Sequence, residues 1–336
     1  MSLRILKAGL LDTIQDQGRY GYGATGINPS GAMDPAALAV ANLLTGNAPG
    51  TAALEMHFPA PVIFFATDAL FALSGADFDP HLDDQPIPAH TPVLTRAGAI
   101  LTFRRPVSGV WCYLTVYGGF RLTGWMGSCS THLAAQCGGW QGRNLCAGDA
   151  LPFQVYPDYS GLLPGKGHRL FPWRAAAGAG YPAEPVIRFL PGPEYPLLDE
   201  PSGALLETSA WRVARQADRM GYPLDGPLLA LRQPLELISS GVIRGTLQLL
   251  PNGRVMILMA DCQTTGGYPR IGCVIGADLP VLAQTRPGQR VRLQCADLPA
   301  AYREYRTQQQ TLRQLKWGCI FRLREAGLLD QAPREG

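Results

Sequence analysis

Short apolar runs cut by Gly, Pro and Asp set the rhythm of this chain. The runs at 61–66 (PVIFFA), 69–76 (ALFALSGA), 100–105 (ILTFRR) and 109–119 (GVWCYLTVYGG) recur in kind at 186–190 (VIRFL), 236–243 (ELISSGVI), 245–250 (GTLQLL) and 254–260 (RVMILMA). Each is rich in β-branched or aromatic residues and ends at a turn former, so each predicts a strand. Two segments carry helix signals instead. Asp34-Pro35 places a capping residue before a proline at the first helical position, and AALAVANLL carries the pattern on to a stop at Gly46, which predicts a helix near 34–46. Asp297-Leu-Pro opens a second helix near 298–317 through YREYRTQQQTLRQLKW.

The chain is therefore mainly β with few helices. A stretch dominated by Gly, Pro and Ala, 159–185, interrupts the strand rhythm and predicts two β-rich domains, 1–185 and 186–336. Composition changes this picture little. At 336 residues with 46% apolar residues the chain supports two sizeable cores. A net charge of +3 with scattered Lys and Arg gives no footprint for nucleic acid, and no apolar run reaches the roughly 18 residues that a membrane span requires. The opening residues show no small-residue cleavage site, so the expected setting is the cytoplasm. Eight cysteines without a CxxC pair are expected to be free and mostly buried, and five dispersed histidines outline no metal site.

Some motifs lose their meaning in context. GYGATG at 21–26 matches a dinucleotide fingerprint, but the residues before it are polar and the helix starts only at Asp34. Ser30 lacks the GxSxG elbow of a serine nucleophile and is expected to be a turn residue. Three polar, glycine-bearing stretches remain: 15–35, leading to a helix that contains Asn42; 214–226; and DCQTTGGYPRIG at 261–272, which follows a strongly apolar strand. On a β scaffold such loops are where functional groups collect.

Their combination resembles a family. QDQGRYGY at 15–22, SGAMDPAALAVAN at 30–42, DRMGY at 218–222, GTLQ at 245–248, ADCQTTGGYPRIG at 260–272 and AQTRPG at 283–288 are similar to the C-type component of bacterial ATP-dependent 5-oxoprolinase. That family is also described as similar to the second subunit of allophanate hydrolase or as carboxyltransferase-type, and it includes an antagonist of a kinase inhibitor. The resemblance implies a cyclophilin-like β-barrel architecture in two units, with a B-type subunit of related fold and an A-type subunit as partners. It implies ATP-driven hydrolysis of 5-oxoproline to glutamate, the activity requiring the partners. It also leaves two alternatives: the carboxyltransferase half of a biotin-dependent urea-carboxylase-type enzyme, or a regulator that binds a histidine-kinase inhibitor. Departures at Pro223 and at Gly253-Arg-Val bear on the substrate and leave the fold untouched.

The residue chemistry agrees with a cyclic amide. A lactam presents a carbonyl acceptor beside an N–H donor, which a carboxamide matches group for group, and Gln263 and Gln248 are the candidates. Gly266 and Gly267 are expected to form a turn whose N–H groups converge on the carbonyl oxygen, so that Gln263, Gly266 and Gly267 form the reacting centre. Arg19 and Arg219 are expected to grip a substrate carboxylate, Tyr268 to cover the ring, and Asp34, Asn42, Thr264 and Thr265 to complete the substrate site. No P-loop GxxxxGK[ST] is present, so ATP is used by the complex without a recognisable site here, and any biotin arrives on another chain because Lys7, Lys166 and Lys316 lack a Met-Lys-Met setting.

Overall fold

A computed structural model describes residues 2–154, 159, 161–163, 167–176 and 181–329. The chain forms two compact units, one of Met1–Gln17, Pro35–Ala179 and Gln309–Gly336, the other of Gly18–Asp34 and Gly180–Gln308. Relative to the expected ranges 1–185 and 186–336, two segments change sides. Residues 18–34 group with the later unit, to which buried hydrogen bonds tie them, and residues from 309 onward group with the earlier one. Within the segment 159–185, residues 160, 164–166 and 177–180 lie outside the described residues, Lys166 among them.

The first unit consists of two six-stranded sheets. One runs in the order Ala150–Pro152, Ser2–Lys7, Val62–Phe65, Ile100–Phe103, Pro80–Leu82, Gln85–Pro86; the other runs His168–Leu170, Pro92–Thr95, Ala69–Asp77, Ser108–Val116, Ala53–His57, Leu11–Gln15. Leu3, Ile5, Ile63, Phe65 and Leu101 of the first sheet share one core with Phe71, Leu73, Leu114 and Ile14 of the second. Ala69–Asp77 reads as a nearly unbroken apolar run because both its faces are covered. Phe71 and Leu73 enter the intersheet core, while Ala72 packs against Val40, Leu43 and Leu44 of the helix Pro35–Leu44.

The second unit closes into a seven-stranded barrel: Val186–Pro191, Arg270–Val274, Thr246–Leu249, Val255–Leu258, Gly221–Asp225, Ala210–Val213, Arg290–Cys295. Val186–Pro191 pairs parallel with Arg290–Cys295 to complete the ring, and closure leaves no exposed sheet edge. Leu247 faces Ile257 and Leu249 faces Val255 across one strand pair, all four buried in the barrel core. By the two-residue period of a strand, Gln248 and its cross-strand neighbour Met256 point the other way, out of the barrel. Trp211, fully buried, donates its indole N–H to the Leu206 carbonyl at 3.0 Å.

Two expectations about elements change. ELISSGVI is a loop apart from Ser240–Gly241, and it leaves Ile238 93% exposed. Its ladder partner among the described residues is the two-residue strand Thr265–Gly266, too short to extend the pairing. The second helix runs Leu298–Glu325 and does not stop near Trp317, because Cys319 and Leu323 bury themselves in the first unit and the chain turns only at Gly327, φ 72°. Of the eight free cysteines, only Cys112, Cys262 and Cys319 are buried. Among the described residues no helix is long and apolar enough to cross a membrane.

Two stability effects follow. Trp211→Ala removes the largest side chain of the barrel core and is expected to cost about 3–5 kcal/mol in urea unfolding. Asp12, buried in Leu11–Gln15, is pushed by that burial from 3.8 to about 7, against the opposing hydrogen bond from the Gly9 N–H. Its folded value lies above its unfolded one, so its favourable contribution is complete below pH 3.8 and is lost as pH rises through about 7. Asp12→Asn is expected to flatten the decline in unfolding free energy between those values; an identical pH profile in both proteins would contradict it.

Candidate functional site

The second unit holds a buried polar latch. Arg219, in the turn before the strand Gly221–Asp225, donates from Nε to Asp261 Oδ2 at 2.7 Å and from an Nη to Asp261 Oδ1 at 2.9 Å. The two side chains are 5% and 10% exposed. The same guanidinium donates to the Gly31 carbonyl at 2.8 Å, and the Ser30 hydroxyl donates to Asp261 Oδ1 at 2.6 Å. Arg244 adds donors to the carbonyls of Ala32, at 2.8 Å, and Met33. Asn28 donates to the Cys262 carbonyl at 3.0 Å. The loop 18–34 is thus drawn onto the barrel along most of its second half. Ser30 stands at φ 54°, a region that costs a non-glycine residue about 1–3 kcal/mol and persists where surrounding bonds impose it.

Beyond Asp261 and Cys262 the chain emerges. Gln263 is exposed, and Thr265–Gly266 pairs with Ser240–Gly241 while Val242 donates its N–H to the Thr264 carbonyl. Gly266 and Gly267 therefore lie in and next to a short ladder and neither has positive φ, which corrects the expected Gly-Gly turn. Gly266 is needed for a different reason. A Cβ there would stand 2.6 Å from Gln248 Nε2 and 3.6 Å from Gln263 Nε2, so two carboxamides converge on the bare face of this one residue. Gln248 is 1% exposed, at a register shift in the pairing of Thr246–Leu249 with Arg270–Val274, and its Nε2 meets no acceptor among the described residues. A bulge of that kind re-aims a side chain, and an unmet buried donor is costly unless something else receives it.

Tyr268, 44% exposed, and Gly267 border a cavity of about 720 Å³ whose other walls include Leu231, Leu235, Leu237 and Leu249. Outside the barrel wall, Met256 packs with Val242, Leu258 and Cys262, a small apolar layer that supports the strip from beneath. Burial raises the Cys262 thiol to about 11, which keeps it protonated and unreactive near neutral pH.

The other expected residues divide. Arg219 does not present a free fork to a carboxylate, because Asp261 occupies it with two bonds. Arg19 is buried at 1% exposure in the loop 18–34, its N–H donating to the Pro29 carbonyl. Asp34 is buried, and its Oδ2 accepts from Gln284 Nε2 at 2.9 Å and the Tyr181 hydroxyl at 3.3 Å. Asn42 belongs to the first unit, where it donates to the Thr51 carbonyl and accepts from Asn47, a tether for the end of its helix. The parts played by Ser30, Asn28, Arg244 and Gln284 left no mark in the sequence, since nothing local distinguishes their polarity from that of any loop. Only Asp261, set directly after RVMILMA, carried a signal.

The barrel lies within a segment of the chain that matches one known family. Residues 25–295 match the carboxyltransferase domain, subdomain A and B, and the chain belongs to that family. It is 39% identical over 315 residues to the C component of 5-oxoprolinase from Escherichia coli K12, covering 94% of this chain and 98% of that protein. It is 40% identical over 305 residues to the C component of 5-oxoprolinase from Haemophilus influenzae, covering 90% and 94%. The crystal structure of Kluyveromyces lactis urea carboxylase shares the fold at 24% identity with a TM-score of 0.85; the match covers 95% of this chain and 29% of that one.

Arg219→Ala would leave Asp261 buried without its counter-charge and is expected to cost about 3–5 kcal/mol. Limited proteolysis is expected to cut such a variant first within 18–34, and a wild-type digestion pattern would contradict the latch.

Proposed function

We propose that this chain is the C-type component of a 5-oxoprolinase, a hydrolase in which it binds and orients the cyclic amide while partner subunits complete the reaction. The observation that carries this is the convergence of Gln248 and Gln263 on Gly266. A lactam carbonyl would accept from the unmet Gln248 Nε2–H, and the ring N–H would donate to a carboxamide oxygen, each ring group finding its complement. Gly266 leaves room for the Gln248 carboxamide, and Tyr268 borders the neighbouring cavity where the substrate would lie. The similarity to two proteins named as 5-oxoprolinase components supports the same substrate class. ATP is consumed by the whole enzyme, and no step involving it is assigned to these residues.

The partners would be an A-type and a B-type subunit. The helix Leu298–Glu325 has both inward-packing and exposed apolar residues. Leu312 and Leu315 pack inward with Val40, Leu43 and Leu44, whereas Tyr302, Trp317 and Phe321 are 59%, 65% and 65% exposed. Trp317 and Phe321, one turn apart, offer an aromatic surface for such a partner. Phe321→Asp is expected to weaken association with the B-type subunit at least tenfold in a titration followed by light scattering. Unchanged association would remove the helix from the interface.

The decisive assay is 5-oxoproline turnover by the reconstituted enzyme. Gln263→Glu replaces a donor with an acceptor at an exposed site, and Gly266→Ala puts a methyl against Gln248 Nε2. Each is expected to lower kcat/KM by about 10²-fold or more, with the Gln263→Glu melting temperature unchanged. Wild-type turnover by both variants would overturn the assignment.

A further inference from the structure

A second cavity, about 480 Å³, lies in the first unit, built from segments of 121–142. Its lining includes Arg121, Trp125, Gln136, Cys137, Trp140 and Gln141. None of these took part in the site above, and the segment contributes no strand to either sheet.

The cavity's walls are built tightly. Isolated bridges join Trp125 to Ser128 and His132 to Cys137. Asp16 accepts from the Ser128 and Ser130 hydroxyls and the Cys129 N–H, which fixes the middle of the segment to the end of Leu11–Gln15. Gly139 lies so close to Thr131 that a Cβ would fall 1.8 Å from its Oγ1, and Gly142 so close to Gln136 that one would fall 2.1 Å from its carbonyl oxygen. Both have positive φ, and so do Gln136, Gly138 and Gln141. At the far side Arg143 donates to both oxygens of Asp149, at 2.7 and 2.8 Å, and to Gln141 Oε1 at 2.9 Å. That pairing holds the Asp149 carboxyl down to about 2, so the clamp stays ionised across the physiological range.

The backbone folding leaves donors over. Gly139 and Gly142 give their N–H groups to the carbonyls of Cys129 and Gly138, and Gln136 and Cys137 give theirs to Leu133 and His132. The N–H groups of Gly138, Trp140 and Gln141 have no acceptor among the described residues. Unused backbone donors in a glycine-rich loop of mixed-hand φ are the usual material of an anion cradle. Arg121 adds a guanidinium with no ion pair among the described residues, while the two carboxylates on these loops, Asp16 and Asp149, are already engaged. Trp125, 36% exposed, and Trp140 add flat apolar faces.

We propose that this cavity is a second ligand site, taking a small molecule that joins an oxyanion, carboxylate or phosphate, to a flat ring. The oxyanion would lie against Arg121 and the free N–H groups of Gly138, Trp140 and Gln141, and the ring against an indole. A cavity of this volume is in the usual range for such ligands. The site stands apart from the Gln248–Gln263 reading, and either can fail without the other.

The test is isothermal titration of the full chain with two probes, AMP for the phosphate source and benzoate for the carboxylate source. Saturable binding of at least one, with Kd below about 1 mM, is expected, and which probe binds identifies the oxyanion. Arg121→Ala and Trp140→Leu are each expected to weaken that binding about tenfold or more, the first without a change in melting temperature because Arg121 is exposed. Two outcomes would overturn the proposal: neither probe saturating by about 10 mM, or Arg121→Ala binding as tightly as the wild type.

Discussion

The buried pair Arg219–Asp261 is the constraint on which the candidate site rests. Two charges held at 2.7 and 2.9 Å with little access to water gain nothing certain in stability, since desolvation offsets much of their attraction. What they secure is position. Further hydrogen bonds of the pair are committed to the loop 18–34, through the Gly31 carbonyl and the Ser30 hydroxyl. A loop placed otherwise would leave a carboxylate and a guanidinium short of partners in a dry setting, so the alternatives are far less stable. The left-handed conformation of Ser30 is the local cost of that arrangement.

The same short segment joins the latch to the candidate site. Asp261 and Cys262 are buried, the first in the latch and the second in the apolar layer with Val242, Met256 and Leu258. One residue further, Gln263 is exposed, and Gly266 brings two carboxamides together. Latch and candidate site are thus consecutive in the chain, and a shift of the first would move the second. Gln248 reaches the strip from the outer face of the barrel because a register shift interrupts its strand at that point. A closed, well-packed barrel supplies the rigid base that such a pairing of side chains requires.

Much of the scaffold was legible along the chain. The apolar runs at 61–66, 69–76, 109–119, 245–250 and 254–260 became strands because alternating or two-sided burial is written directly into residue type. ELISSGVI looked the same but had only a two-residue partner, and a strand exists only where another strand pairs with it. The long helix was recognisable from its start, while its end depended on Cys319 and Leu323 finding a core to enter. The site was legible in part. Gln263, Gly266 and Tyr268 stood out as polar or flexible residues after a core strand, and Gln248 as a carboxamide inside one.

The roles within that site were another matter. Arg219 and a substrate-gripping arginine look alike in sequence; Asp261, 42 residues away, decides between them. Asn42 looked like a site residue and is a helix tether, satisfied by Thr51 and Asn47. Gly266 and Gly267 suggested a turn, yet the ladder with Ser240–Gly241 holds the segment and the close approach of Gln248 explains Gly266. By itself the sequence determined the β character, the helix starts and the chemical vocabulary of the loops, because those follow from side-chain type and near-neighbour spacing. Only the tertiary structure decided which polar groups are consumed by one another and which remain for a ligand, because a hydrogen bond depends on distances between residues remote in the chain.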